Sequence, residues 1–182
     1  FSFLDTGAMY RAITLKGLRQ GVNLADEQAL VDLATRTQID MEFSDGKVKV
    51  LLDGEDVSES IRTIDVTNNT FYAAKAPRVR EILVQWQRKL GNLKNVVAEG
   101  RDVGTVVFPQ AQNKFYLDAD LKERARRRLA ELAASGKQID KDELLRQMHE
   151  RDQKDLNRSV GPLKKADDAT FVDSTDLSVE QV

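Results

Sequence analysis

The residues of this sequence best suited to chemistry fall in three places. Val96-Val97-Ala98-Glu99 is a short apolar run that gives way to Gly100-Arg101-Asp102-Val103-Gly104, the pattern of a buried strand opening into a loop. Loops at the carboxyl ends of strands are where open α/β sheets hold their ligands. Tyr10 and Arg11 follow Asp5-Thr6-Gly7, near a helix start where unpaired N–H groups and the positive dipole end favour an anion. Arg151, Asp155 and Arg158 recur at i, i+4 and i+7, which places all three on one helix face. Guanidinium forks bind phosphate oxygens in bidentate fashion and stay charged at any working pH. The chemistry these residue types suit is the handling of an anion. Each place also has a plainer reading: a strand end with solvated charges, surface packing, and an exposed ion-pair ladder worth a few tenths of a kcal/mol per pair.

Composition sets the bounds. A chain of 182 residues is one domain's worth and can bury a sizeable core. Hydrophobic residues make up 41% and charged ones 32%, the balance of a globular protein rather than a disordered one. With no cysteine there are no disulfides or thiolate metal sites, which is compatible with a cytoplasmic location. No apolar run is long enough to span a bilayer and no signal peptide is visible. The only histidine, His149, has no second histidine or cysteine to share a metal. Net charge is −2, yet residues 121–165 carry 13 Lys and Arg against 8 Asp and Glu, while the remainder nets −7. Such a basic segment suits a small polyanion or a nucleic-acid backbone.

The elements that position these residues follow from pattern. Phe1-Ser2-Phe3-Leu4 alternates before Asp5, so the chain is expected to begin inside a strand. With Asp5 or Thr6 as N-cap, Ala8, Met9, Ala12, Ile13 and Leu15 form the apolar side of a helix that Gly21 closes. A second helix, 26–35, turns Ala29, Leu30 and Leu33 inward. From Gln38 the period becomes two: Ile39, Met41 and Phe43, a turn at Asp45-Gly46, then Val48, Val50 and Leu52 with a second turn at Asp53-Gly54. Helical pattern returns over 65–75, and Pro77 opens the next helix. Its apolar stripe is Val79, Ile82, Leu83, Trp86 and Leu90, with Arg78, Arg80, Arg88 and Lys89 on the solvated side. After a strand over 114–118, Asp120 and Glu123 start a helix that buries Leu121, Ala125, Leu129 and Leu132 and ends at Gly136. Asp140 with Glu143 starts another, 169–173 is a strand, and Ser174 to Glu180 reads as the entrance to a further helix. Strands alternating with helices predict an α/β chain whose parallel sheet is covered on both faces.

Five stretches, in this order, span nearly the whole chain: Asp5-Thr6-Gly7-Ala8-Met9-Tyr10-Arg11-Ala12, Pro77-Arg78-Val79-Arg80, Glu99-Gly100-Arg101-Asp102-Val103-Gly104-Thr105-Val106-Val107-Phe108-Pro109, Glu150-Arg151-Asp152 with Asp155 and Arg158, and Asp173-Ser174-Thr175. Together they resemble the bacterial cytidylate kinases. The resemblance implies a three-layer P-loop kinase fold, a parallel sheet flanked by helices, with an antiparallel β insertion and a helical lid. It divides one structural domain into core (1–36), nucleotide-binding insertion (37–68), core (69–120), helical lid region with its flanking core helix (121–165) and core (166–182). It implies ATP-dependent phosphorylation of CMP or dCMP, with Mg2+ entering on ATP and no metal ligated directly by the protein. Arg11 and Arg101 would hold the acceptor phosphate, Tyr10 would close that pocket, and Arg151 and Arg158 would arrive from the lid. Arg101, Arg151 and Arg158 are thus the catalytic candidates. Asp102 would accept from the exocyclic amino group of cytosine, Arg80 would donate to the ring nitrogen and carbonyl, and Asp155 would reach the sugar. Thr70 stands in for the family's small hydroxyl near the base, in a segment where Phe71 occupies the aligned position. Asp5, Thr6 and Gly100 complete the substrate-binding set. The expected partners are CMP or dCMP and ATP, with no nucleic acid and no membrane, in a cytoplasmic monomer.

The family's phosphate-binding loop, G-x-x-x-x-G-K-[ST], is not among these residues. That loop and the central strand feeding it are expected upstream of Phe1, in about 30 further residues, and the family's last helix beyond Val182. Two other readings stand beside the kinase: a non-catalytic nucleotide-binding fragment or module, and a nucleic-acid-binding domain. The second is the weaker, because the basic segment has little aromatic interleaving and the net charge is negative.

Overall fold

The computed structural model describes residues 1–44, 47–93, 95–134 and 136–182. In chain order its elements are β1 (Ser2–Asp5), α1 (Thr6–Arg19), α2 (Glu27–Thr35), β2 (Ile39–Ser44), β3 (Lys47–Leu52), β4 (Glu55–Asp56), a 3-10 turn (Ser60–Arg62), α3 (Ile64–Lys75) and α4 (Pro77–Leu93). There follow β5 (Val96–Glu99), a π-helical turn (Val103–Val107), β6 (Phe115–Asp118), α5 (Leu121–Ala134), α6 (Lys141–Asn157) and β7 (Thr170–Asp173).

Local chemistry accounts for most boundaries. The Asp5 carboxylate accepts from Ala8 N at 2.9 Å, Asp26 from Ala29 N at 3.2 Å, and Asp140 from Asp142 N and Glu143 N at 2.9 and 3.0 Å, each satisfying a helix's first unpaired donors. Past the end of α1, Gly21 takes a φ of 65°, the left-handed conformation that closes a helix at little steric cost. Asp53 and Gly54 take φ of 50° and 86°, which joins β3 to β4 in a turn matched to strand twist. The expected turn at Asp45-Gly46 lies outside the described residues.

The frame is parallel. β1 pairs with β5 from Ser2 against Val96 to Asp5 against Glu99, and β6 pairs with β7 from Phe115 against Thr170 to Asp118 against Asp173. The α/β class with parallel strands flanked by helices is borne out. Among the described residues the strands form two separate parallel ladders rather than the single sheet expected. β2, β3 and β4 form the antiparallel insert, with Ile39 opposite Leu52.

One apolar cluster joins α1 (Met9, Ile13), α2 (Leu30, Leu33), the insert (Val50, Leu52, Val57, Ile61), α3 (Val66) and α4 (Val79, Leu83). The insert therefore shares the main core instead of standing off as an appendage. Trp86 packs against the same cluster, as a core residue should. The α5–α6 arm differs, because Ala125 and Leu144 are its only fully buried apolar side chains among the described residues. Leu121, Leu129 and Leu132, expected inside, are half-buried. Polar ties hold the arm, including Arg124 Nη1 to Asp152 Oδ2 at 2.8 Å between its own helices.

Three expectations need correction. Arg80 is 3% exposed and not on the solvated side of α4, because a buried carboxylate compensates its charge. Arg158 is not on the same helix face as Arg151 and Asp155: α6 ends at Asn157, and Arg158 is its extended C-cap with ψ of 142°. Residues 174–182 form turns rather than opening a helix. The Ser174, Thr175 and Leu177 carbonyls, which a helix would need, accept from Arg127 instead.

Candidate active site

The carboxyl ends of β1 and β5 bring Asp5 and Glu99 side by side. Burial and the neighbouring Asp5 charge raise the Glu99 pKa, against the pull of Arg62 and Arg101. The Asp5 carboxylate is committed to capping α1, with Arg62 Nη2 3.6 Å away. Thr6 is 3% exposed and donates its hydroxyl to the Glu99 carbonyl at 2.7 Å. A Cβ at Gly100 would lie 2.2 Å from Thr6 Oγ1 and 2.8 Å from Val103 Cγ2. Thr6 and Gly100 thus fix the close approach of the β5 loop to the start of α1, which sets the direction of the next two residues.

Those residues part company. Asp102 points inward, 5% exposed, and accepts through Oδ2 from Arg80 Nη2. Arg80 also donates to the Ala74 carbonyl at 3.0 Å, and its guanidinium lies 5.3 Å from the centroid of the buried Tyr10 ring. Arg158 Nη2 lies 3.9 Å from Asp102 Oδ1, Arg158 Nη1 lies 3.6 Å from Asp155 Oδ1, and Arg101 Nε donates to Asp155 Oδ2 at 3.0 Å. The result is an alternating chain of charge, Arg80, Asp102, Arg158, Asp155, Arg101, running from the core to the surface. Burial lowers the Arg158 pKa, with repulsion from Arg80 adding to it and Asp102 and Asp155 opposing.

A second group is less fully compensated. Arg11 donates from Nη1 to the Ile61 carbonyl at 3.1 Å and to Thr67 Oγ1 at 2.8 Å, both uncharged acceptors. Burial first, and Arg151 next, hold its pKa down to about 10, with Asp5 opposing and Arg62 and Arg128 adding to the repulsion. Arg151 is exposed by surface area, and partial loss of solvation, with Arg101 next, lowers its pKa against Asp155 and Asp152. These arginines come from α1, the β5 loop and α6, so cations from three elements converge on one place. Where carboxylates offset only part of the repulsion in such a cluster, an entering anion is favoured.

The remaining candidate, Thr70, donates its hydroxyl to the Val66 carbonyl at 2.6 Å within α3 and is not joined to the others by a hydrogen bond. Next to it, the Phe71 ring lies 5.5 Å from Lys154 Nζ of α6 and 4.9 Å from Lys75 Nζ, so the arm rests against α3 here. Three residues escaped the sequence reading. Thr67 orients Arg11 from four residues after Thr63 on α3. The Gly161 backbone, with φ of 56°, lies against Arg80 and Asp102 so closely that a Cβ would meet Arg80 Nη2 at 2.2 Å. Gln87, seven residues after Arg80, is a polar residue within the buried stripe of α4, and that interruption was the visible signal. Among the described residues no group of three or more His, Cys, Asp and Glu could hold a metal ion, and no helix is long and apolar enough to cross a membrane.

The sequence matches the family described as Cytidylate kinase over residues 1–182. It is 49% identical over 180 residues to the cytidylate kinase of Desulforamulus reducens, covering 99% of this chain and 81% of the relative. It is 48% identical over 182 residues to that of Caldanaerobacter subterraneus subsp. tengcongensis, covering 100% and 80%. With that of Salmonella paratyphi B the identity is 47% over 179 residues, covering 98% and 79%. Identity of this order along essentially the whole chain means that it belongs to the cytidylate kinase family.

Proposed function

We propose that the protein transfers the γ-phosphoryl group of ATP to CMP or dCMP, giving ADP and CDP or dCDP. The observation that carries this reading is Arg11, a half-buried cation whose side-chain hydrogen bonds go to uncharged acceptors and which Arg151 repels, beside the buried Arg80 and Asp102. One half of that surface calls for a phosphate and the other for a group that both donates and accepts hydrogen bonds. A cytidine monophosphate supplies both.

Phosphoryl transfer asks little covalent work of the protein and much positioning and charge compensation. In this reading Arg11 and Arg101 hold the acceptor phosphate so that one oxygen attacks the γ-phosphorus in line. The bond to the β–γ bridging oxygen breaks, and that oxygen leaves on ADP. The α5–α6 arm acts as the lid, bringing Arg151 and Arg158 to the charge spread over the transferring group. Its few buried apolar contacts make it the part free to move, and its closure excludes water that would otherwise accept the phosphoryl group. Magnesium comes with ATP as part of the substrate, and Asp5 would accept hydrogen bonds from its water shell.

Base choice rests on Asp102 and Arg80. The carboxylate accepts from the exocyclic amino group, Arg80 donates to the ring nitrogen and carbonyl, and Asp155 reaches the sugar. A uracil turns a carbonyl toward Asp102, an unpaired and repulsive contact. For the base to enter, Arg158 must yield its place beside Asp102 Oδ1 and the Gly161 loop its place beside Oδ2. The two parallel ladders belong, in this reading, to a three-layer P-loop kinase-type core, and the protein works as a cytoplasmic monomer. Chromatographic detection of CDP after incubation of the full-length protein with ATP, Mg2+ and CMP tests the proposal. Binding of CMP without CDP formation would favour a nucleotide-binding module instead.

A further inference from the structure

α4 places a second polar side chain in the stripe it buries. Gln87 is 0% exposed, and neither its Nε2 nor its Oε1 has a hydrogen-bond partner. Among the described residues, the one other buried side-chain nitrogen or oxygen without a partner is Arg80 Nε. Among the described residues, the unpaired buried side-chain nitrogens and oxygens thus belong to two residues on one helix, and both of them border Tyr10. The Gln87 amide faces the Tyr10 hydroxyl closely enough to favour its ionisation, without the alignment of a complete hydrogen bond. On the other side, the Tyr10 ring backs the Arg80 guanidinium at 5.3 Å. A primary amide offers two donors and one acceptor, and interiors seldom leave one unpaired without reason.

We propose that Gln87 is a positioning residue for base selection, setting the Tyr10 ring and, through that ring, the plane in which Arg80 meets the pyrimidine. The inference rests on the cytidine-nucleotide reading above. When nucleotide binds, the Gln87 Nε2 donates to the Tyr10 hydroxyl oxygen and holds the ring at one rotation. The guanidinium stacked on that ring is then presented in register with the base, with Nε free to donate.

The test is Gln87→Met, which keeps length and volume and removes the amide. Steady-state kinetics with CMP and UMP should show the KM for CMP raised and the CMP:UMP ratio of kcat/KM lowered, each by about 3- to 10-fold, the size of one neutral hydrogen bond. The KM for ATP should not move. In a Tyr10→Phe background the same change should add nothing, because the hydroxyl it acts through is gone. A purely packing role predicts the opposite: KM and ratio preserved, and a higher Tm, since an unpaired buried amide has been replaced by a methionine that needs none. That result overturns the proposal, as does a Gln87→Met protein that no longer folds. Wild-type discrimination is measured first. If the wild type fails to distinguish CMP from UMP, the cytidine reading falls and the inference falls with it. If the wild type discriminates and Gln87→Met does so equally, the inference alone fails.

Discussion

Removing the Asp102 carboxylate should damage stability and selectivity together. Arg80 and Asp102 are 3% and 5% exposed, so Asp102→Ala leaves a buried guanidinium with only the Ala74 carbonyl and the Tyr10 face. Arg158, 3.9 Å from Asp102, loses a partner as well, and the two cations then face each other. Breaking one side of a buried ion pair costs about 3–5 kcal/mol. For a chain of this size each kcal/mol moves Tm by about 2–4 °C, so the expected drop is about 6–20 °C. The double variant Arg80→Met, Asp102→Leu removes both charges and should recover stability to within about 1 kcal/mol of wild type. It should not recover preference for cytosine. Thermal unfolding followed by circular dichroism, with coupled ADP-release kinetics on CMP and UMP, reads both effects. A Tm drop of less than about 3 °C for Asp102→Ala, or a double variant no more stable than the single one, would refute the reasoning.

Other expectations follow from the same geometry. Arg151 has no hydrogen bond or ion pair among the described residues and repels Arg11, so Arg151→Ala should leave Tm unchanged or raised. Its kcat/KM should fall by about 10- to 150-fold, the value of one charge-assisted contact, and a variant that loses stability but not activity would contradict that role. CMP at about 100 times its Kd should raise Tm by about 5–11 °C. The shift should shrink in Arg11→Ala at the same CMP concentration, and an equal shift would remove Arg11 from the phosphate site. Burial pushes the Tyr10 pKa up to about 12, with Arg80 opposing. A folded value above the ordinary 10 means that its stabilising contribution is complete below pH 10 and lost as pH rises through 12. Wild type should therefore lose stability relative to Tyr10→Phe from pH 10 upward. Arg11, with its depressed pKa, acts the other way over that range in both proteins and drops out of the comparison. Parallel Tm curves for the two proteins would refute the buried-phenol assignment.

What was legible in the sequence was what neighbours in sequence decide. Asp5 and Asp140 at helix starts, Pro77 in a first turn and Gly21 at a helix end depend on interactions within a few residues, and each is found where pattern placed it. The alternation of Ile39 to Leu52 fixed the register of the insert for the same reason. Periodicity misplaced Arg80, because a stripe drawn from apolar residues alone assigns an arginine to solvent. Its compensating carboxylate comes from 22 residues away. The end of α6 at Asn157 was hidden in the same way: Arg158 leaves the helix to meet Asp102, a contact made by tertiary structure, and donates to the Gly161 carbonyl three residues on. Gln87 carried a local signal, a polar residue inside a buried stripe, whose meaning depends on Tyr10 from another helix. The individual site residues were named through family resemblance. The alternating charge chain that joins five of them exists only in three dimensions.

The central claim is that Asp102 and Arg80 read cytosine on an acceptor whose phosphate lies between Arg11 and Arg101. Its most direct test is the ratio of kcat/KM for CMP and UMP, measured by coupled ADP release with the full-length protein at fixed MgATP. A site built to hydrogen-bond one base rejects the mismatched one strongly, so CMP should be favoured by about 100-fold or more. Equal turnover of the two nucleotides, or a preference for UMP, would contradict it.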